Sequence, residues 1–384
     1  MVALVLDEHA VLEQGIAQLH ELLGSGWEIA PYGVKTEPSA PLVEDTGSDA
    51  VYSVRALNTS APYSQVVVEA KTSLTPAAAK DVLLPRVRLL RRLYSQATVL
   101  VIAPWLSPRT RDVLAEHKVS CLDLTGNVDL RLPTGVLIRT EGAQHNPEPT
   151  SHRRRRGLSG AAAGMLARLL VDFAPPYRQK DLAAVAGISA GYVSRVFQTL
   201  DDEALITREG SHIVDVNWVA LLRARAESYD VLHANHATSM VARKGPDAVY
   251  RSLISQGTSN TTAVTGSYAA REVAPIAVGG SLMFYVLPGP HMVESAASEL
   301  SLLPAAGGGG NVVILQPNNV GPLDRRRPFG AAEHVGLSQL AIDCLGGPGR
   351  MPAEGEAVIA HMAKTEDQWR RGPGELARET PALS

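Results

Sequence analysis

Apolar residues recur at i, i+3, i+4 and i+7 in two places near the middle of the chain: Leu166, Leu169, Leu170 and Phe173, then Val193, Val196, Phe197 and Leu200. With 3.6 residues per turn those positions share one face, so each set predicts an amphipathic helix. Pro175 and Pro176 end the first helix, because proline has no N–H to continue the ladder. A second helix is expected from about Arg178 to Ala186. Gly187 then supplies a tight turn, accepting φ > 0 without steric cost. Ser189 is a good N-cap for the third helix. Beyond it LITREGSHIVDV reads as two short strands around Glu209-Gly210, with Trp218 closing the core.

Toward the N-terminus the pattern changes period. Leu12, Ile16, Leu19 and Leu23 place a helix over His9 to Leu23. A polar loop follows at 35–48, then two strand-like runs, Asp49 to Leu57 and Gln65 to Lys71. A helix rich in Leu and Arg is expected from Pro76 to Tyr94. TVLVIA (Thr98 to Ala103) is a continuous apolar run of strand length, consistent with a buried strand. Ser107 caps a helix to Glu116 with Pro108 at N1. Val119 to Leu124 and Val128 to Leu132 read as strands around a Gly126-Asn127 turn. Helices alternating with strands predict an α/β layer fold. After the central segment, further helices and strands predict an α+β region. A helix covers Ala220 to Leu232 and another Gly245 to Ser255. TAVTGSYAAREVAPIA reads as strand, Gly turn and helix, SLMFYVLP and NVVILQP as strands, and HVGLSQLAIDCLGGPGRMPAEGEAVIAHM as helix, stop and helix.

The third central helix divides its residues. Its apolar stripe faces inward, leaving Ala190, Gly191, Tyr192, Ser194, Arg195, Gln198 and Thr199 outward. A helix that reads a major groove, roughly 12 Å wide, needs that division. DLAAVAGISAGYVSRVFQTLDDEALITR resembles the helix, turn, recognition helix and first wing strand of winged helix-turn-helix regulators, and the likeness covers Ser159 to Trp218. It implies that Tyr192, Ser194, Arg195 and Gln198 face the bases, with Ser189 among the DNA-binding residues. Gln179, Lys180, Arg208 and His212 would meet phosphate or the minor groove of double-stranded DNA. From Ser151 to Ser228 there are eleven Lys/Arg against eight Asp/Glu. Four of the cations, Arg153, Arg154, Arg155 and Arg156, form one run. Such an arm can lie on phosphates or in a minor groove, and it reads equally as a solvated linker.

VVVEAKTS carries the other chemistry. On a strand Glu69 and Lys71 share one face, and Val68 and Ala70 the other. Asp49 opens the preceding strand. Two carboxylates at a strand edge can hold Mg²⁺, a hard cation that takes oxygen ligands, and a neighbouring lysine can orient water and stabilise phosphate charge. An Asp followed twenty residues on by Glu-x-Lys, in this order of elements, resembles the PD-(D/E)xK restriction-endonuclease-like fold over most of 1–140. The resemblance implies Asp49 and Glu69 as metal ligands, Lys71 as the catalytic lysine and Glu13 or Glu21 as an additional acid. Ser48 stands where that motif has proline. The same pattern also fits a surface Glu–Lys pair at a strand end. Leu122 to Asn127 ends the last strand, where polar groups line a site or simply form a turn.

Thr265-Gly266-Ser267-Tyr268-Ala269-Ala270, Asn311-Val312-Val313 and Ser338-Gln339-Leu340 through Asp343 to Pro348-Gly349-Arg350 resemble the C-terminal region of type IV abortive-infection antitoxins, in which a winged helix also precedes it. The expected organisation is a restriction-endonuclease-like α/β domain at 1–140, a basic linker at 141–158 and a winged helix-turn-helix at 159–232. An antitoxin-like α+β domain at 233–370 and a disordered polar tail at 371–384 complete it. Gly307 to Gly310 is taken as a flexible turn, since no Lys and Ser/Thr follow to make a phosphate cradle.

Composition narrows the partners. The chain has 384 residues, 45% hydrophobic and 20% charged, enough for two or three folded domains. Its net charge of −3 means that nucleic-acid affinity must come from local patches. Cys121 and Cys344 have no metal-like spacing, which suggests a reducing compartment. His233 and His236 lack companions for a metal set. Asp7 and Glu8 stand where a signal peptide would be basic, and no apolar run reaches the ~18 residues of a membrane span. A cytoplasmic, nucleoid-associated bacterial protein is therefore expected. One reading is a sequence-specific transcriptional regulator that needs no cofactor, its flanking domains adding DNA contacts, joining two copies as a homodimer or sensing a signal. The alternative is a Mg²⁺-dependent endonuclease targeted by the winged helix.

Overall fold

The computed structural model describes residues 6–32, 49–57, 62–94, 97–144, 147, 158–258, 262–276, 279–305, 309–372 and 374–378. The polar loop at 35–48, the run Arg153, Arg154, Arg155 and Arg156, and Gly307 and Gly308 lie outside them. The chain divides into two units, Met1–Thr150 and Ser151–Ser384.

The first unit is built on the valine-rich run. Its elements are α1 (Glu8–Leu23), β1 (Trp27–Pro31), β2 (Ala50–Ala56), β3 (Ser64–Ala70), α2 (Pro76–Ala78), α3 (Leu84–Leu93), β4 (Thr98–Ala103), α4 (Pro108–Glu116), β5 (Ser120–Asp123), β6 (Val128–Arg131) and β7 (Leu137–Thr140). The strands form one sheet in chain order. β3, β4 and β5 run parallel at its centre and the remaining pairs are antiparallel. The central strands carry unbroken apolar runs because helices cover both faces. Val66, Val68, Ala70, Leu100 and Ile102 meet Val11 and Leu19 of α1. Val67, Val99 and Val101 meet Leu83, Leu84, Val87 and Leu90, with Val113 and Leu114 of α4. α1 lies so close to β4 that a Cβ on Gly15 would stand 2.4 Å from Ile102 Cγ2.

The Leu/Arg helix expected over 76–94 is not regular. A π-helical stretch, Ala79–Leu83, joins α2 to α3. The physical reason is Pro85, which has no N–H to return to Asp81 and whose ring would collide with that carbonyl. The linker expected from 141 begins later. Gly142 N donates to Asn127 Oδ1 at 2.9 Å, and Ala143 O accepts from Trp105 Nε1 at 3.0 Å, so residues 142 and 143 belong to the first unit.

The second unit begins with α5 (Ala161–Asp172), β8 (Tyr177–Arg178), α6 (Gln179–Ala186), α7 (Ala190–Asp202), β9 (Ile206–Glu209), β10 (His212–Val216) and α8 (Trp218–Ala226). Gly187 ends α6 at φ +62°, ψ +29°, the left-handed turn its position requires. The short strands form a sheet in the order β8-β10-β9. There follow β11 (His236–Val241), α9 (Pro246–Gln256), β12 (Thr262–Thr265), α10 (Gly266–Val273), β13 (Leu282–Val286), α11 (Met292–Glu299), β14 (Leu303–Pro304), β15 (Val312–Gln316), β16 (Arg327–Phe329), β17 (Ala332–His334), α12 (Leu337–Leu345), α13 (Met351–Lys364) and α14 (Glu366–Trp369). Their mixed sheet has the order β14-β11-β15-β13-β12-β17-β16.

One apolar cluster runs from Leu166 and Phe197 through Leu221 to Phe284, Leu340 and Val358, so 159–232 and 233–370 share a core. Trp218 packs edge-on to Trp369 at 5.3 Å between ring centroids and donates to Glu366 Oε2 at 3.1 Å. The tail expected to be disordered from 371 is packed over its described residues. Arg371 N donates to Asp172 O at 2.8 Å, Ala174 N to Arg371 O at 2.8 Å, and Leu376 is buried. That apolar anchor, inside an otherwise polar segment, is what the tail reading overlooked. No helix among the described residues is long and apolar enough to cross a membrane.

Candidate functional site

Asp49, Glu69 and Lys71 converge at the C-terminal end of β3. Antiparallel register sets Ala50 opposite Val68, which brings Asp49 level with the end of that strand. Ala70 N donates to Asp49 Oδ2 at 2.7 Å. Lys71 Nζ stands 3.5 Å from Asp49 Oδ2 and 3.7 Å from Glu69 Oε2, and it donates to Ala70 O at 2.7 Å and Glu8 Oε1 at 3.3 Å. The acid contributed by α1 is therefore Glu8, in its first turn. Glu13 and Glu21 are exposed, and Glu13 pairs with His9.

Glu69 is fully buried on the face that carries Val67. Arg86 Nε of α3 lies 3.0 Å from its Oε1. The pair is close but misaligned, and neither Glu69 oxygen has a hydrogen-bond partner. Burial pushes the Glu69 carboxyl above the ordinary glutamate range, Arg86 opposes this, Asp49 adds to the rise, and Lys71 opposes it again. Among the described residues no three His, Cys, Asp or Glu side chains come together to hold a metal ion. Asp49 and Glu69 still offer two carboxylates from adjacent strands, one of them without a hydrogen bond. That donor set fits in kind a hard divalent cation completing its shell with water.

The neighbouring Asp123 cluster is closed. Asp123 Oδ1 accepts from Thr125 N at 3.0 Å, Thr125 Oγ1 at 2.7 Å and Asn127 N at 3.1 Å. Its Oδ2 accepts from Leu106 N at 3.0 Å and Asn127 Nδ2 at 2.9 Å. Five donors on one buried carboxylate leave no place for a ligand, and the cluster pins the β5–β6 turn.

The second unit presents the other surface. Val193, Val196, Phe197 and Leu200 of α7 are buried, while Ser194, Arg195 and Gln198 are exposed on the opposite side. Ser189 is the cap, its hydroxyl accepting from Tyr192 N at 3.3 Å. Tyr192 is half-buried, with the Arg195 guanidinium 5.9 Å from its ring centroid. Gln179 donates to Ala190 O at 3.3 Å, tying α6 to α7. Arg208 pairs with Asp201, and Gln198 donates to Asp202 Oδ1 at 3.2 Å. Lys180 is exposed. His212 Nε2 accepts from Arg178 Nε at 3.2 Å, which adds Arg178 to this face. Its signal in the sequence was simple adjacency to Gln179 and Lys180.

A buried network joins Thr265, Gln339 and Asp343, which lie in the segments that carry the antitoxin resemblance, to Arg168, Tyr229 and Tyr285, which no sequence pattern marked. Asp343, fully buried on α12, accepts from Tyr229 OH at 2.8 Å, Tyr285 OH at 2.9 Å and Gln339 Nε2 at 2.7 Å through Oδ1, and from Thr265 Oγ1 at 2.6 Å through Oδ2. Arg168 of α5 donates to Gln339 Oε1 at 2.8 Å, and Arg325 pairs with Asp172 of the same helix. α5 is thereby hydrogen-bonded to the region after 233. His233 is exposed beside Asp230 at 3.0 Å, and His236 opens β11.

Compared with protein-family models, curated protein sequences and solved structures, the chain matches none.

Proposed function

We propose that the chain is a sequence-specific DNA-binding transcriptional regulator, a winged helix-turn-helix protein of the bacterial cytoplasm whose α7 enters the major groove of double-stranded DNA. The observation that carries this reading is the ridge of Ser194, Arg195 and Gln198 on a helix whose other side is wholly buried. Arg195 offers a bidentate fork to guanine O6 and N7. Lys180 and Arg178, both exposed, would meet the phosphates that flank such a helix. Arg208 reaches a phosphate only by leaving Asp201. Arg195→Ala is expected to weaken operator binding by roughly 1–3 kcal/mol and to relax specificity at one base pair. Genome-wide mapping followed by a shift assay measures both, and unchanged affinity would remove Arg195 from the reading helix. The region after 233, read as antitoxin-like, would hold two copies together or sense a signal through α5.

A second reading is favoured by the convergence of Asp49, Glu69 and Lys71. In it the first unit is a restriction-endonuclease-like domain that cuts DNA addressed by α7. Asp49 and Glu69 would hold Mg²⁺, which supplies Lewis-acid activation of water and phosphate. Lys71, fixed by Glu8 and Ala70 O, would stabilise charge on the phosphate. Mg²⁺-dependent cleavage of the mapped site, absent in Glu69→Ala and Lys71→Ala, is the expected outcome. An inert wild-type protein retires this reading and leaves the regulator intact.

A further inference from the structure

The two cations beside Glu69 differ in how firmly they are held. Lys71 is fixed by a backbone carbonyl, Glu8 and Asp49. Arg86 has one described ion pair, to Glu69, and its side chain is 39% exposed where Glu69 is 0% exposed. The pair lacks hydrogen-bond alignment, so among the described residues it is charge that holds the guanidinium there. A cation kept only by charge yields to one with more of it. Mg²⁺ brings two charges directly onto the carboxylate and repels the guanidinium beside it.

We propose that Arg86 is a displaceable counter-ion. It neutralises Glu69 while no divalent cation is bound, and it swings outward to a DNA phosphate when Asp49 and Glu69 take one. This rests on the nuclease-like reading of the first unit but concerns a residue outside the Asp-Glu-x-Lys set. The half-exposed position on α3 gives the side chain a path to solvent without repacking Leu84, Val87 or Leu90. Arg86 is thus a positioning residue in the empty site and a phosphate ligand in the loaded one.

The test is calorimetric titration of Mg²⁺, and separately Mn²⁺, into the full chain without DNA. Arg86→Ala is expected to bind either ion roughly tenfold more tightly than wild type. In the presence of Mg²⁺ it should hold a non-cognate duplex more weakly, with a salt slope lower by about 1. Arg86→Lys, which keeps the charge and so guards against a folding defect, should stay near wild type in ion affinity. The double variant Arg86→Ala, Glu69→Gln should lose the gain. Unchanged or weaker ion binding by Arg86→Ala overturns the proposal, as does the absence of ion binding in every variant. Tighter ion binding without any DNA cleavage would retain Arg86 as the counter-ion and retire the nuclease. Cleavage with unchanged ion affinity would do the reverse.

Discussion

Glu69 and Asp343 are both fully buried carboxylates, one in each unit, and burial raises the pKa of both. What surrounds them is opposite. Asp343 receives four hydrogen bonds from Thr265, Tyr229, Tyr285 and Gln339. Glu69 receives none and is offset only by charge. A buried carboxylate saturated by neutral donors has nothing left to bind and serves the fold. One left unbonded between two cations costs stability that packing elsewhere must supply, and its lone pairs remain available. Asp123, with five donors, falls on the structural side of the same division. Polar satisfaction, more than burial, separates the candidate site from the scaffold.

The contrast breaks most visibly at Asp343. Asp343→Ala removes the acceptor of four donors; the Tyr229 and Tyr285 hydroxyls, 3.2 Å apart, can pair with each other, which leaves three unpaired at about 1–3 kcal/mol each. The second unit is expected to lose at least about 3 kcal/mol of unfolding free energy, read as a shift in its urea midpoint. Because Gln339 also accepts from Arg168, α5 should loosen with it, and hydrogen exchange at 161–172 should accelerate. Asp343→Asn does not rescue, since its amide sets a donor against donors. If Asp343→Ala unfolds at the wild-type midpoint, the network is not what joins α5 to the later sheet.

A buried base extends the comparison with opposite charge. His334 is 1% exposed, between Phe329 and Tyr250. Burial, with Arg327 adding to it, lowers its pKa to about 4 from 6.5. The unfolded chain therefore binds a proton below 6.5 that the folded chain refuses until about 4. The stability this gives is complete above 6.5 and is lost as pH falls through that window, by on the order of 3 kcal/mol. His334→Gln should flatten the unfolding free energy of the second unit between pH 6.5 and 4. A slope that persists in the variant would place the acid sensitivity elsewhere.

The layers of the first unit were legible because strands buried on both faces must be apolar throughout, as TVLVIA and the valines before Glu69 are. The α7 stripe was legible because one buried face repeats every three to four residues. β11 was not, since HATSMV buries only Met240 and shows no alternation. Nor was the wide turn at 79–83, where Pro85 acts at a distance of one helical turn. At the candidate site Asp49, Glu69 and Lys71 were readable from spacing on paired strands. Glu8 and Arg86 were not, because they arrive from helices on either side of the sheet and nothing local marks them. Thr265, Gln339 and Asp343 fall in the segments that carry the antitoxin resemblance, but their pairing with one another and with Arg168, Tyr229 and Tyr285 spans residues 168 to 343, and pairing at that separation leaves no trace in any window of sequence.

The smallest expected effect tests the other pole of the comparison. Burial holds the Glu69 carboxyl above its usual range despite Arg86 and Lys71, so at neutral pH its charge is less favourable in the folded chain than in the unfolded one. Glu69→Gln keeps the shape and removes that charge. The first unit should become no less stable, gaining up to about 1 kcal/mol, while divalent-ion binding is lost. Near-identical isosteric changes at 69 and 343 thus move stability in opposite directions. A Glu69→Gln variant with a markedly lowered melting temperature would mean that the Arg86 and Lys71 pairs hold the fold, and that the strand end is scaffold after all.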